Sequence, residues 1–205
     1  ALGANGAINA LCADAAGNIY AAGQFTNGPD QFSGKQYVAK WDGTTWTELG
    51  GANSLAANST IWSVQADAAG NIYAGGYFVN STGRWYVARY DGTGWVELGG
   101  LNGLSANFTI NSICTDADGS VYAGGDFYNS SNKSFVAKYA EYVSVQNGDW
   151  NNPATWAKGE VPPADANVII KNIVTVTANA SCNSVFTKPG GNIIVNTGVL
   201  FNVGL

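Results

Sequence analysis

The sequence predicts an all-β protein whose first 140 residues form a partial β-propeller of three four-stranded blade repeats. The main observation is a sequence repeat that occurs three times, beginning at Ile8, Ile61 and Ile110. Consecutive copies therefore start 53 and 49 residues apart. A repeat of about 40–50 residues built from short strands is typical of propellers, with one blade per repeat. The blades are expected near residues 8–51, 61–100 and 110–139.

Each repeat contains four predicted strands, shown here by the second copy. Short apolar or alternating segments separated by Asp- and Gly-containing turns predict an antiparallel meander. The predicted strands of this copy are Ile61–Ala66, Ile72–Gly76, Trp85–Tyr90 and Gly94–Leu98, and the predicted tight turns are Asp67–Asn71 and Asp91–Thr93. The paired glycines Gly75 and Gly76 suit a close approach of neighbouring backbone.

The strand order predicts two different ends of the propeller. Short turns join the first strand to the second and the third to the fourth, whereas the second-to-third loops and the links between repeats are long and variable. A ligand is therefore expected on the long-loop end. Three blades do not close a ring, because propellers typically have 4–8. Either further blades precede Ala1, which the repeat-like residues 1–7 favour, or a second copy supplies them.

The charge and hydrophobicity of the chain limit the kinds of binding partner it is expected to have. Only 11% of the residues are charged, the net charge is −5, and nine Lys and Arg are spread along the chain. We therefore expect no nucleic-acid partner, which would need clustered cations. No apolar run approaches the ~20 residues of a membrane helix, so no membrane insertion is expected. The chain has no Met and no recognisable signal peptide, which suggests a processed product or a fragment.

The residue types also bear on catalysis. The chain has no His, which removes the Ser–His and Cys–His nucleophile systems and the commonest metal ligand. Most acids recur in turns or outer strands, with Asp30 and Asp126 as unrepeated exceptions. We expect no catalytic residues, no metal and no cofactor. The three cysteines, Cys12, Cys114 and Cys182, are interpreted as small buried hydrophobic side chains.

The second half, residues 141–205, changes character. Trp150, the segment Pro153–Trp156, Pro162-Pro163 and the segment Asp165–Ile170 precede short β segments split by Gly and Asn. This pattern resembles the opening of right-handed β-helix domains in large secreted proteins of the Bacteroidetes type. The propeller repeats are similar to those of cell-surface proteins from such bacteria. The resemblance implies the start of a parallel β-helix-like domain, export and a modular parent protein.

Candidate ligand-binding residues lie in the long loops. They combine amides, cations and one aromatic ring, a mixture that suits a hydroxyl-rich partner such as a glycan. The candidates are Trp85, Arg84, Asn80, Asn27, Asn129, Lys35 and Lys133. For the three recurring asparagines a structural role in turns is the leading interpretation, and a repeated polar ligand site is the alternative.

Other residues have structural alternatives too. Trp62 and Trp85 have no tryptophan at the equivalent positions of the other copies, which makes them binding candidates. Aromatic residues that recur between copies instead suggest packing between blades; these are Trp41, Trp46, Tyr90 and Trp95. The segment Asp116–Gly119 resembles the start of a calcium loop, but a turn is the favoured interpretation, because the further ligands of such a loop are missing.

The leading functional hypothesis is a non-catalytic protein of the cell surface or extracellular space, either an adhesin or a component of an extracellular assembly, with the propeller as its interaction platform. Its expected partner is a glycan, a cell-surface molecule or other copies of the chain. The alternative is a carbohydrate-binding propeller attached to a secreted polysaccharide-degrading enzyme. A structural spacer is a third possibility. The sequence does not choose among them, because propellers support many functions.

Overall fold

The computed structural model describes residues 1–100, 104, 106–117 and 119–204. Its regular structure is almost entirely β, with two single-turn 3-10 helices at Gly51–Asn53 and Pro153–Thr155. The chain divides into two compact units, Ala1–Tyr139 and Ala140–Leu205, called unit 1 and unit 2 below. No helix among the described residues has both the length and the apolar character needed to cross a membrane.

Unit 1 begins with two four-stranded antiparallel sheets of the same topology. Each is a meander in which consecutive strands are neighbours. The first sheet contains β1 (Ile8–Ala13), β2 (Ile19–Gly23), β3 (Ala39–Trp41) and β4 (Trp46–Glu48). The second contains β5 (Ile61–Ala66), β6 (Ile72–Gly76), β7 (Ala88–Tyr90) and β8 (Trp95–Glu97).

The third sheet of unit 1 has three strands where the sequence predicted four. It contains β9 (Ile110–Thr115), β10 (Val121–Gly125) and β11 (Ala137–Tyr139), in the order β11-β10-β9. The prediction of three four-stranded repeats is therefore wrong for the last copy. The chain enters unit 2 directly after β11, and no hairpin turn equivalent to that at Asp42 or Asp91 follows.

The third strand of each sheet is also shorter than predicted. In the second sheet, β7 begins at Ala88 and not at Trp85. Its pairing with β6 ends at Ala74–Ala88, although β6 itself continues to Gly76 in its pairing with β5. Trp85 instead forms single bridges with Val79 and Ala106, which tie the long loop to the link that follows.

The three sheets pack side by side through their first strands. β5 contacts both β1 and β9. One apolar cluster joins the first and second sheets and another joins the second and third. A buried Phe recurs in each long loop, and each makes an edge-to-face contact with an aromatic ring. These pairs are Phe25–Tyr37, Phe78–Tyr86 and Phe127–Phe135, with centroids 4.9–5.0 Å apart.

Unit 2 is built from parallel strand pairs. Its strands are β12 (Glu141–Val143), β13 (Gly148–Asp149), β14 (Asn167–Ile170), β15 (Ile173–Val176), β16 (Ala180–Cys182), β17 (Ser184–Thr187), β18 (Asn192–Val195) and β19 (Phe201–Val203). They form three sheets, β12-β14-β17, β13-β15-β18 and β16-β19. From β14 onward the chain visits these sheets in strict rotation, so each circuit places a strand beside its predecessor.

Alternation along these strands supplies the core of unit 2. Val168 and Ile170 of β14, Val174 and Val176 of β15, and Cys182 of β16 are all buried and belong to one cluster. Trp150 and Trp156 complete that cluster. On β15 the residues facing the other way, Ile173 and Thr175, are more exposed, whereas β14 is buried on both faces.

The cysteines are all free. Burial raises the pKa of the Cys12 thiol to about 11 and that of Cys182 to about 11. The expectation that all three are buried holds for Cys182, whereas Cys12 is half-buried and Cys114 is exposed. Cys114 follows the buried Ile113 in β9, so strand alternation places its side chain on the opposite, open face.

Candidate functional site

The long loops and the links meet at one end of unit 1, held together by asparagines of the links. Asn58 accepts from Val79 N–H and donates to Val79 O, both at 3.0 Å. Asn107 makes the same pair of bonds with Tyr128, at 3.0 and 2.9 Å. Asn5 accepts from Thr26 N–H at 2.9 Å. The links and the second-to-third loops therefore share one end, and this end is called the long-loop end below.

The three loop asparagines predicted as ligand contacts shape their own loops. Asn80 Oδ1 accepts from the backbone N–H of Thr82 at 3.0 Å and of Arg84 at 3.1 Å. Asn129 Oδ1 accepts from Ser131 and Lys133 in the same way, at 2.9 and 3.1 Å. Such bonds stabilise a turn through the side chain. The structural interpretation therefore has direct support at these positions.

Asn27 follows a variant of this pattern, because its loop is longer. Its Oδ1 accepts from Lys35 N–H at 2.9 Å, eight residues away. Its amide nitrogen donates to Glu48 at 3.3 Å, as that of Asn80 does to Glu97 at 3.0 Å. The recurring glutamates of the outer strands thus anchor the loops.

The predicted cations are exposed and lie at equivalent places. Lys35, Arg84 and Lys133 each stand one residue before the bridging position of their loop. Each belongs to the loop of its own sheet. They offer one cation per loop.

Among the predicted ligand-binding residues, Trp85 lies in a cluster of aromatic rings. Its ring lies 5.2 Å from that of Phe108 and 5.9 Å from that of Tyr77, and those two rings are 6.1 Å apart. Tyr77 is 46% exposed and Phe108 38% exposed. We call these three residues the aromatic platform. It lies at the long-loop end, where a loop of the second sheet meets the link to the third.

The indole nitrogen of Trp85 is notable within this platform. Nε1 is buried and has no hydrogen-bond acceptor among the described residues. Leaving such a donor unsatisfied costs roughly 1–3 kcal/mol. The Trp85 backbone is held by bridges to Val79 and Ala106, so the ring is set in place by the fold.

The aromatic platform occurs once in the chain. The first repeat has Gln24 and Gln36 where the second has Tyr77 and Trp85, and Ser59 takes the position of Phe108 in the preceding link. In the third repeat the corresponding loop residues are Asp126 and Ser134. Tyr77 and Phe108 were missed by the sequence analysis, although they are unrepeated aromatics like Trp85 and the same criterion would have found them.

Trp62, the other unrepeated tryptophan, lies elsewhere. It lines an open depression of about 540 Å³ together with Ile8, Asn9 and Asn111. Asn9, Trp62 and Asn111 are equivalent residues on β1, β5 and β9, so this depression runs across the first strands of the three sheets. Trp62 and the aromatic platform are therefore two distinct candidate surfaces.

The recurring aromatics of the outer strands have packing roles. The rings of Trp41 and Trp46 lie 5.7 Å apart, and those of Tyr90 and Trp95 lie 5.6 Å apart. Trp95 Nε1 donates to Leu49 O at 3.2 Å, which joins the second sheet to the end of the first. A shallow groove of about 290 Å³ beside Trp95 also contains Asn80, Tyr86 and Glu97. Burial and then the Glu97 carboxylate raise the pKa of Tyr86.

The recurring aspartates of the first turns are occupied by the chain itself. Asp67 Oδ1 accepts from the backbone N–H groups of Ala69 and Asn71, and its Oδ2 accepts from Asn71 Nδ2 and Tyr73 Oη, at 2.7–2.9 Å. Asp116 bonds Ser120 N–H and Tyr122 Oη in the same way. The turn interpretation of Asp116 thus has direct support, while Asp118 lies outside the described residues.

No group of three or more His, Cys, Asp or Glu side chains that could hold a metal occurs in the described part of the chain. The unrepeated acid Asp30 bonds its own loop, at Phe32 N–H and Ser33 Oγ, both at 2.9 Å. The other unrepeated acid, Asp126, is exposed.

Stability should fall at acid pH because of these turns. Hydrogen bonds lower the carboxyl pKa of Asp42, from Thr45 N–H first, and of Asp91, from the Thr93 hydroxyl first. Partial burial raises the pKa of Asp14, but bonds from Asn18 and Tyr20 outweigh it. A folded-state pKa below the unfolded value of about 3.9 gives stability that is present above that pH and lost as the pH falls through the folded pKa. The unfolding temperature, followed by circular dichroism, should therefore decline from pH 5 to pH 2, and a flat profile would contradict this.

Three comparisons with known proteins were made for this chain: with family models, with curated proteins and with solved structures. No protein-family model matches the chain, and no curated protein matches it significantly. Solved structures similar to it include a fucose lectin from Kordia zhangzhouensis in complex with methyl-fucoside, at 19% identity. That match covers 63% of this chain and 90% of the lectin chain, with a TM-score of 0.41. A TM-score below 0.5 does not establish a shared fold or a shared ligand.

Proposed function

We propose that the chain is a non-catalytic glycan-binding module in which unit 1 is part of a β-propeller and unit 2 the start of a parallel β-helix. Three consecutive antiparallel meanders, packed through their first strands, support the propeller assignment. The rotation of β14–β19 through three parallel sheets supports the β-helix assignment. The residue resemblance described above adds export to the cell surface or extracellular space to this proposal.

The observation that carries glycan binding is the aromatic platform. Sugar rings present apolar C–H faces and polar rims, and exposed aromatic rings stack on the former while amides and cations bond the latter. Tyr77 and Phe108 present open ring area, and the adjacent Arg84 supplies donors. A surface with few charges suits a neutral, hydroxyl-rich ligand. These features favour the carbohydrate-binding alternative over the adhesin hypothesis.

The non-catalytic part of the proposal rests on the residues available. The chain has no His, and its described acids are mostly engaged by backbone N–H groups in turns. A glycosidase needs two carboxyl groups facing one cleft. The acids of the short turns have structural partners, so unit 1 is proposed to bind a glycan and not to cleave it.

The experiment replaces the aromatic platform with its counterparts from other repeats. The triple variant Tyr77→Gln, Trp85→Gln, Phe108→Ser introduces residues that the chain already uses at equivalent positions. We expect unchanged folding by circular dichroism and at least a tenfold loss of affinity, which is about 1.4 kcal/mol. The measurement is a glycan array followed by calorimetry on the glycans that bind wild type.

Two control variants make this test specific. Trp62→Asn replaces the other unrepeated tryptophan by the residue found at Asn9 and Asn111, and it should leave glycan binding unchanged. Asp91→Ala, in a short turn, should lower stability and leave affinity unchanged. Wild-type protein that binds no glycan on the array would overturn the proposed function. Binding lost in Trp62→Asn and kept in the triple variant would move the site to the first strands.

A further inference from the structure

Unit 1 makes the same sheet-to-sheet junction twice. At the first junction, Ile61 and Val64 of β5 pack in one cluster with Ala22 of the first sheet. At the second, Ile110 and Ile113 of β9 face Gly75, where an added Cβ would lie 2.7–2.8 Å from their side chains. All four aliphatic residues are at most 5% exposed. Each junction therefore joins an aliphatic pair to a small residue on the preceding sheet.

Each half of this junction is also present on a face of unit 1 where no other sheet among the described residues packs against it. Ile8 and Leu11 of β1 occupy the positions of Ile61 and Val64, yet they are 47% and 64% exposed. On the third sheet, Gly124 occupies the position of Gly75, and no described atom lies within 4 Å of where its Cβ would be. Val136 is 67% exposed, whereas its counterparts Val38 and Val87 are buried. The first sheet thus exposes the aliphatic half and the third sheet exposes the accepting half.

The polar contacts seen at the two internal junctions also have uncovered counterparts. Asn9 Nδ2 donates to Ile61 O at 3.2 Å across the first junction, and Ile113 N–H donates to Ser63 Oγ at 3.0 Å across the second. The third sheet carries Asn111 and Ser112 at the equivalent positions, and both are exposed. In a junction with the first sheet of another copy, Asn111 would donate to Ile8 O, as Asn9 donates to Ile61 O. Ser112 would accept from Leu11 N–H, as Ser63 accepts from Ile113 N–H.

We propose that these two faces cover each other between two copies of the chain, the third sheet of each copy packing on the first sheet of the other. The two faces are the two halves of a junction that the chain already forms internally, which is why a second copy fits better than an unrelated partner. Two copies give two identical junctions related by a two-fold axis and a closed ring of six sheets, within the range of 4–8 blades. Three copies would give nine, outside that range.

The intermolecular junction should be weaker than the first internal one. Across the first junction, Trp95 of the outer strand β8 donates to Leu49 O. The third sheet has no outer strand and passes into unit 2 after Tyr139, so this contact has no counterpart there. We therefore expect a dimer whose dissociation can be followed by dilution.

The test uses sedimentation velocity on the full chain across a dilution series. The molar mass that sedimentation gives for wild type should be twice that of one chain at high concentration. It should fall towards the mass of one chain on dilution. Leu11→Asp on the first sheet and Val136→Asp on the third should each be monomeric over the same range. Phe32→Asp, at an 89% exposed apolar residue in a loop, is the matched control and should dimerise like wild type.

Mixing the two monomeric variants gives the sharpest outcome. In a heterodimer of Leu11→Asp with Val136→Asp, one junction combines both unaltered faces and the other combines both altered faces. The mixture should regain association that neither variant shows alone. A wild-type chain that stays monomeric at all concentrations, or a dimer insensitive to Val136→Asp, would overturn the proposal. Should Leu11→Asp or Val136→Asp fail to fold, Gly124→Leu, which has open space around it, must block the dimer instead.

Discussion

Gly76→Ala is expected to destabilise unit 1 strongly, although it adds only one methyl group. A Cβ at this position would lie 2.1 Å from Thr60 O, 2.9 Å from Ile61 Cα and 3.0 Å from Trp62 N. All three atoms belong to backbone, at a point where the register between β5 and β6 shifts. The neighbouring strand must therefore move, and overpacking of this kind costs typically ~1–3 kcal/mol, a large part of a ~5–15 kcal/mol stability. Urea unfolding followed by fluorescence measures the loss.

The neighbouring glycine provides the control for this prediction. A Cβ on Gly75 would meet only side-chain atoms of Ile110 and Ile113. The first repeat has Ala22 at this position, and it packs there with Val64. Gly75→Ala combined with Ile113→Val reproduces that pairing and should cost much less than Gly76→Ala. Equal losses for the two changes would contradict the steric argument.

The strands of unit 1 show how far the sequence could predict the fold. The repeat and the alternation of apolar residues predicted two of the three sheets strand by strand, since each strand depends on local pattern. The length of β7 could not be predicted in this way. It depends on where the pairing between β6 and β7 ends, at Ala74–Ala88, which no pattern within residues 85–90 specifies.

The candidate site was predictable only where a residue stood out within its own repeat. Trp85 did so, and so did the long loops that contain it. Tyr77 and Phe108 are unrepeated aromatics too, but their contact with Trp85 was not predictable, because they belong to a strand end and a distant link that only the fold brings together. The recurring asparagines look alike as ligand contacts or turn residues until their Oδ1 bonds are seen.

Unit 2 is more predictable at its start than along its strands. Trp150 and the segment Pro153–Trp156 marked it in the sequence, and both tryptophans are among the largest fully buried side chains. The later segments are short and irregularly spaced. Their parallel pairing depends on contacts between successive circuits, such as Asn167–Ile170 beside Ser184–Thr187, which no local pattern specifies.

Trp150→Ala is expected to unfold unit 2 while unit 1 stays folded. The Trp150 ring lies 5.0 Å from Trp156 and 4.8 Å from Phe201, so it joins the start of unit 2 to its last strand. Its carbonyl accepts from Trp156 Nε1 at 2.8 Å, and its N–H donates to Thr175 O at 2.8 Å. Replacing a buried Trp by Ala costs ~3–5 kcal/mol, and a unit of this size has little stability to spare.

Hydrogen exchange resolved by peptide measures this effect in each unit separately. In Trp150→Ala, the amides of β14 and β15 should lose protection, while those of β5 and β6 should keep it. Phe186→Ala is the matched control, because this aromatic residue of the same unit is exposed and its loss should leave protection nearly unchanged. Retained protection of β14 in Trp150→Ala would show that the parallel strand pairs are stable without this aromatic contact. Loss of protection in β5 as well would show that the two units fold as one.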